Sequence, residues 1–122
     1  MKRKVGVLLS GCGFKDDSEI HESVCTLLAL DRLGVDTICM APDIEQRKVV
    51  NHLTGEPVAE KRNVLVESAR IARGEIRDVA GAHADEIDAL ILPGGFGAAL
   101  NSIAHVADGI EKAVRRTVEL ID

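Results

Sequence analysis

The sequence predicts a single α/β domain whose mostly parallel sheet is covered by helices on both faces. Two short apolar runs, residues 5–9 and 89–92, each lead directly into a Gly-rich loop. Such runs are typical of buried parallel strands. Between and after them, apolar residues recur at helical spacing, so strands and helices alternate along the chain. Because no repeat, linker or low-complexity segment interrupts this pattern, we assign all 122 residues to one domain.

The first predicted helix follows the strand at residues 5–9. Asp16, Asp17 and Ser18 are candidate N-caps, and Glu19 completes a possible capping box with Asp16. Apolar positions of this helix are Ile20, Val24, Leu27 and Leu28. A glycine at position 34 is placed to end it.

The middle of the chain changes character. Residues 35–40 predict a second buried strand. Residues 49–53 and 57–58 flank a Thr-Gly pair, which indicates a small hairpin or a looped excursion. Residues 76–79 predict a short, weak strand before the stronger one at 89–92.

Two later helices are predicted. Asn63 is a candidate N-cap for the first of them, and Gly74 is placed at its end. Its buried stripe is Val64, Leu65, Ser68, Ile71 and Ala72. The last helix has the longest stripe: Ile103, Val106, Ala107, Ile110, Val114, Val118 and Ile121.

Composition argues against several classes of protein. A net charge of −5 and an aromatic content of 2% are unlike a nucleic-acid surface. No apolar run approaches the roughly 18 residues of a membrane span. Three cysteines without paired spacing predict reduced thiols, and the basic start lacks the apolar core of a signal peptide. We therefore expect a cytoplasmic protein. Its scattered histidines predict no metal site, and no cofactor is expected.

The first Gly-rich loop, residues 10–14, begins like a dinucleotide fingerprint. Asp16 stands where the third glycine belongs, and its charge would repel a pyrophosphate at a helix N-terminus. No phosphate-loop signature occurs either, so a nucleotide-binding domain is the weakest hypothesis. Cys12 in this loop is a possible nucleophile, with its pKa lowered by the helix N-terminus, or simply a small residue that fills the loop. Cys25 and Cys39 fit the core.

The second Gly-rich loop, residues 92–97, contains the adjacent pair Gly94 and Gly95. Their backbone N–H groups could turn towards a ligand, as an oxyanion hole requires, or the pair could only permit a tight turn. Glu22, in the first turns of the first helix and close to the loop carrying Cys12, could face the pocket and act as a general base. Alternatively, its charge only favours the helix N-terminus.

Four sequence blocks carry a family resemblance. They are residues 5–22, which include the first Gly-rich loop, residues 51–56, residues 62–74 and residues 92–101. Their order and spacing resemble the ElbB family of glyoxalase-like proteins, within the PfpI and class I glutamine amidotransferase-like superfamily.

The resemblance implies a flavodoxin-like fold and the cofactor-independent conversion of glyoxal, a small aldehyde, to glycolate. In that superfamily a cysteine on a strand-to-helix elbow adds to the aldehyde, and a glutamate of the first helix moves the proton. Backbone amides of the Gly-Gly loop hold the oxyanion. By this resemblance the base is Glu22, and the oxyanion amides belong to Gly94 and Gly95.

The chain departs from the family after the second loop. Residues 102–122 resemble the family's final helix, and nothing matches the elbow cysteine. We therefore predict an internal deletion between residues 1–101, the family's N-terminal half, and residues 102–122. Cys12 is the only substitute nucleophile we can suggest. An exposed strand at 89–92 would then favour a homo-oligomer. Two hypotheses remain open: a glyoxalase-like enzyme, or an inactive binding, regulatory or dimerising remnant.

Overall fold

A computed structural model of the chain describes residues 2–103 and contains a four-stranded parallel sheet. The strands are β1 (Lys4–Leu8), β2 (Asp36–Ala41), β3 (Arg77–Asp78) and β4 (Ala89–Ile91), in the spatial order β3-β2-β1-β4. The helices are α1 (Ile20–Arg32) and α2 (Val64–Ala72). Short helical turns occupy Val79–Gly81 and Ala84–Glu86, and a π-helical turn occupies Ala98–Ile103. The predicted α/β class and its parallel sheet are confirmed.

The hydrophobic core lies between β1 and the two helices. Val5, Val7 and Leu9 point to one face of the sheet because side chains alternate along a strand. Leu30 of α1 completes this buried cluster, and residues of both α1 and α2 pack against it. Both described helices therefore cover the same face. Apart from Ile103, the helix predicted over residues 103–121 lies outside the described residues, as does most of the predicted 102–122 segment.

Strand order determines where the loops meet. The chain runs from β1 outwards through β2 to β3 and then returns to place β4 on the other side of β1, with Val7 opposite Ile91. Within the described sheet, β4 is thus an edge strand, as we expected of residues 89–92. A reversal of this kind brings two carboxyl-end loops side by side and forms the crevice where open α/β sheets bind ligands.

The helix ends test the capping predictions. Asn63 does cap α2, because its side chain accepts a hydrogen bond of 2.9 Å from Val66 N. The capping box predicted for α1 is wrong: Glu19 itself is the N-cap and accepts from Glu22 N at 2.7 Å. The expected caps, residues 16–18, are turned away, since each of their side chains accepts a hydrogen bond from another backbone N–H group.

Residues 49–58 form a looped excursion closed by an isolated bridge, and a second isolated bridge pairs Glu45 with Asn63. Val50 pairs with Pro57 in the antiparallel sense, and Val58 N donates to Val49 O at 2.9 Å. Neither flank extends into a strand. The weak strand predicted at residues 76–79 shortens to the two residues of β3, because the chain turns into a 3₁₀ helix at Val79.

Candidate functional site

The first Gly-rich loop is held by hydrogen-bond acceptors of Asp17, Ser18 and Ser68. The backbone N–H groups of residues 10–13 donate in turn to Ser18 Oγ, Ser68 Oγ, Asp17 Oδ2 and Ser18 O, at 2.7–2.9 Å. Ser18 and Ser68 are completely buried. All four N–H groups already have acceptors within the protein, so this loop is not built to bind an anion.

Asp17 is a buried carboxyl with a strongly raised pKa. It is 2% exposed, and its Oδ1 lacks a hydrogen-bond partner within residues 2–103. Burial raises the pKa of this carboxyl to about 7, while the hydrogen bond from Cys12 N opposes the shift and the charges of Asp16 and Glu67 add to it. Near neutrality the Asp17 carboxyl is therefore protonated in part of the molecules. It does not contribute a full negative charge to the site.

The second Gly-rich loop lies directly beside Glu22. A methyl group added at Gly94 would overlap the Glu22 carboxylate, so no side chain separates that carboxylate from the loop. Gly95 has φ +117° and packs against the backbone of residues 17–19. Within the described part of the chain, the N–H groups of Gly94 and Gly95 donate to no acceptor. The structure thus places Glu22 beside Gly94 and Gly95, the residues to which the resemblance assigns the base and the oxyanion amides.

Three backbone hydrogen bonds fix the two loops against each other. Glu19 N donates to Gly94 O at 2.7 Å, Gly97 N donates to Asp17 O at 3.0 Å, and Phe96 N donates to the carbonyl of Phe14 at 3.1 Å. The first of these bonds occupies an N–H at the start of α1, which otherwise lacks an intrahelical partner. The position of Glu22 relative to the Gly-Gly pair is therefore set by main-chain geometry.

Cys12 faces a different space. Together with Asp16 and His52 it lines a cavity of about 540 Å³ between the first loop and the excursion, and neither Glu22 nor the Gly-Gly pair lines that cavity. Burial and the charge of Asp17 raise the pKa of the Cys12 thiol, contrary to the lowering that a helix N-terminus would cause. Cys12 thus lies in a different space from Glu22 and has a raised pKa, and its role as nucleophile stays a prediction.

Sequence reasoning missed the residues that hold the first loop. Ser68 was visible only as a polar residue in the buried stripe of α2, and that position was the available signal. The sequence predicts Asp17 and Ser18 as helix caps, whereas their side chains accept hydrogen bonds from Cys12 N and Ser10 N. Of the other two thiols, Cys39 is half-buried and packs against the core as predicted, whereas the prediction is wrong for Cys25 on α1, which is exposed.

Within residues 2–103, no group of three or more His, Cys, Asp or Glu side chains is arranged to hold a metal ion. In the same range, no helix is both long and apolar enough to cross a bilayer.

Comparison with known proteins gives consistent relatives. No protein-family model matches the chain. A human protein, glutamine amidotransferase-like class 1 domain-containing protein 3, mitochondrial, is 47% identical over 119 residues, which are 97% of this chain and 44% of the human one. The rat ES1 protein homolog, mitochondrial, is 46% identical over 98% of this chain and 46% of its own length. Zebrafish ES1 protein, mitochondrial, is 33% identical over 96% of this chain and 45% of its own. This chain therefore spans a little under half the length of these relatives.

A solved structure supports the same grouping. An isoprenoid biosynthesis protein with an amidotransferase-like domain from Ehrlichia chaffeensis superposes with a TM-score of 0.79 and 49% sequence identity, over 80% of this chain and 47% of that one. The likeness confirms the flavodoxin-like α/β fold. Together these similarities support the class I glutamine amidotransferase-like superfamily for this chain. They do not test the predicted internal deletion.

The expectation of a cytoplasmic protein is wrong in light of these relatives, since the human and rat proteins are mitochondrial. The expectation rested on reduced cysteines and on the first residues of this chain. Free thiols indicate a reducing environment, but they do not identify the compartment. The residues of a folded domain reflect its packing and carry no information on the compartment.

Proposed function

We propose that this chain forms one half of a glyoxalase-like site that binds a small aldehyde, with Glu22 as the base and the amides of Gly94 and Gly95 as the oxyanion donors. The observation that carries the proposal is the contact between the Glu22 carboxylate and Gly94. A proton acceptor and two unengaged amide donors at one point of the crevice are what the isomerisation of a carbonyl compound requires.

The chemistry assigned to these groups is a proton transfer between neighbouring carbons. A thiol adds to one carbonyl of glyoxal and gives a hemithioacetal. Glu22 removes the proton from the carbon bearing sulfur, and the amides stabilise the resulting enediolate oxygen. Return of that proton to the adjacent carbon gives a thioester, and water then releases glycolate and the thiol.

The thiol is the part that this chain does not place beside Glu22. Cys12 lines another cavity, its pKa is raised, and Cys25 and Cys39 lie on α1 and β2. We therefore expect the chain alone to turn over glyoxal poorly, and we expect a small thiol added to the solution to supply the missing step. The hemithioacetal forms in water without help, so the proton transfer is the first step that needs the protein.

Glycolate formation from glyoxal, followed by NMR with and without added mercaptoethanol, tests the proposal. We expect thiol-dependent turnover that Glu22→Gln lowers by about a hundredfold or more, because the amide cannot accept the proton. Asp31→Asn is the matched control, since Asp31 is an exposed carboxylate on the same helix. Cys12→Ala should leave the thiol-dependent rate unchanged.

Two results would contradict the proposal. Turnover without added thiol that disappears in Cys12→Ala would make Cys12 the nucleophile. The absence of turnover in every condition would favour the second candidate, an inactive binding or dimerising protein. The exposed edge strand β4, with Leu90 46% exposed, is the observation behind that second candidate.

A further inference from the structure

Within residues 2–103, the hydrophobic core is open on one side. Four buried residues form its centre, and seven partly buried apolar residues pack against them. Six of these seven line a groove between α1 and α2, which we call the α1–α2 groove: Leu27, Val35, Cys39, Ile71, Ala72 and Ile76. Its volume is about 960 Å³. Because apolar surface gains stability when it leaves water, this groove is a surface that favours being covered.

An apolar ridge runs along α1 at the wall of this groove. Ile20, Val24 and Leu28 recur every fourth residue, and each is 41–49% exposed. The buried positions of the same helix are Ser23 and Leu30. Side chains four residues apart form the ridges with which one helix packs into the groove of another. Helix α1 therefore presents to solvent a row of side chains that is suited to helix packing.

A ridge beside a groove is a shape that fits a second copy of itself. Under a two-fold axis that crosses the middle of α1, the ridge of each copy lies in the groove of the other, which is the isologous arrangement of most homodimers. The charges agree with this arrangement. Three basic and three acidic residues line the groove, so its lining has no net charge, whereas the whole chain carries −5. Two such surfaces meet without net repulsion, and opposite charges of the two copies can pair.

We propose that two copies of this chain associate through the α1–α2 groove as a two-fold dimer. The two α1 helices run antiparallel across the axis, and Val24 of each copy packs against Leu28 of the other. This surface is separate from the edge strand β4, since β1 lies between β2 and β4 in the sheet. It is also independent of the glyoxalase-like site, because neither Glu22 nor the Gly-Gly pair lines the groove.

Sedimentation of the full chain over a range of concentrations tests the proposal. We expect a mass that approaches twice that of one chain as the concentration rises. Val24→Glu places a carboxylate in the apolar contact of both copies, and it should raise the dissociation constant by about a hundredfold or more. Val66→Glu is the matched control, since Val66 is 63% exposed on α2 and does not line the groove. The control should leave the dissociation constant unchanged.

Leu90→Glu separates this surface from the edge strand, because Leu90 lies on β4 and is also exposed. A dimer that dissociates in Leu90→Glu and persists in Val24→Glu would overturn the proposal, since the contact would then lie at β4. A monomer at every concentration would overturn it as well, and would mean that other residues of the same chain cover the groove or that it stays open.

A measurement without substitutions decides the matter if Val24→Glu fails to fold. In a sample that mixes ¹³C-methyl-labelled and unlabelled chains, isotope-filtered NMR spectra report contacts between the two copies. We expect such contacts from the methyl groups of Val24 and Leu28. Contacts from Leu90 without any from α1 would assign the interface to β4 and overturn the proposal.

Discussion

The two Gly-rich loops have similar composition and lie side by side, yet their backbone N–H groups differ in hydrogen bonding. In the first loop, the N–H groups of residues 10–13 are all bonded to acceptors within the protein. In the second, the N–H groups of Gly94 and Gly95 have no acceptor within residues 2–103, and Glu22 lies beside them. Glycine content alone therefore does not identify an anion site, since the acceptors supplied by distant elements decide whether the amides remain available.

The largest effect we expect comes from replacing Gly95 with alanine. Gly95 has φ +117°, and a Cβ there would overlap backbone atoms of residues 17–19, which cannot swing aside. We expect the free energy of unfolding to fall by about 3 kcal/mol. Urea denaturation followed by circular dichroism measures this. A loss below about 1 kcal/mol would mean that the second loop is not held rigidly against the first.

The first loop should be weakened by Ser68→Ala. This change removes the acceptor for Gly11 N and leaves a buried donor unpaired, which should cost about 2 kcal/mol. Ser23→Ala is the matched control: Ser23 is equally buried, but its Oγ bonds to Glu19 O, which already accepts from Ser23 N. We expect less than about 0.5 kcal/mol there. Equal losses in the two variants would contradict our account of the loop.

Asp17 should make the stability of the first loop depend on pH. Folding raises its pKa from 3.8 to about 7, so between these values the folded state holds the proton more tightly than the unfolded chain. The stabilisation is complete below about pH 4 and is lost as the pH rises through about 7. The free energy of unfolding should therefore fall as the pH rises across this range.

Urea midpoints across that pH range measure the effect. Asp17→Asn keeps a carbonyl oxygen for Cys12 N and cannot ionise, so its stability should change less with pH. An unchanged slope in Asp17→Asn would assign the pH dependence to other groups.

The smallest effect on stability should come from Gly94→Ala. The added methyl group meets only the end of the exposed Glu22 side chain, which can rotate away, so we expect a loss below about 0.5 kcal/mol. Thiol-dependent glyoxal turnover should nevertheless fall by about tenfold or more, because the base is displaced. Full activity in folded Gly94→Ala would separate Glu22 from the reaction.

The sequence predicts correctly those elements that depend on residues close along the chain. It fails where the contacts join residues that are distant along the chain. The cap at Asn63 and the strands at β1 and β2 follow from neighbouring residues, and they were predicted. The caps of α1 were mispredicted because Asp16, Asp17 and Ser18 bond to backbone groups elsewhere, which local patterns do not report. The Glu22–Gly94 contact came from the resemblance, since only strand order brings the two loops together.

The hydrogen bond from Glu19 N to Gly94 O also bears on the order of assembly during folding. Helix α1 and strand β2 can associate early, because they are close along the chain. The second loop is far from α1 in sequence, and closing so long a segment slows the step that joins them. We therefore expect the crevice between the two loops to be completed when β4 docks on β1, after α1 and β2 have associated.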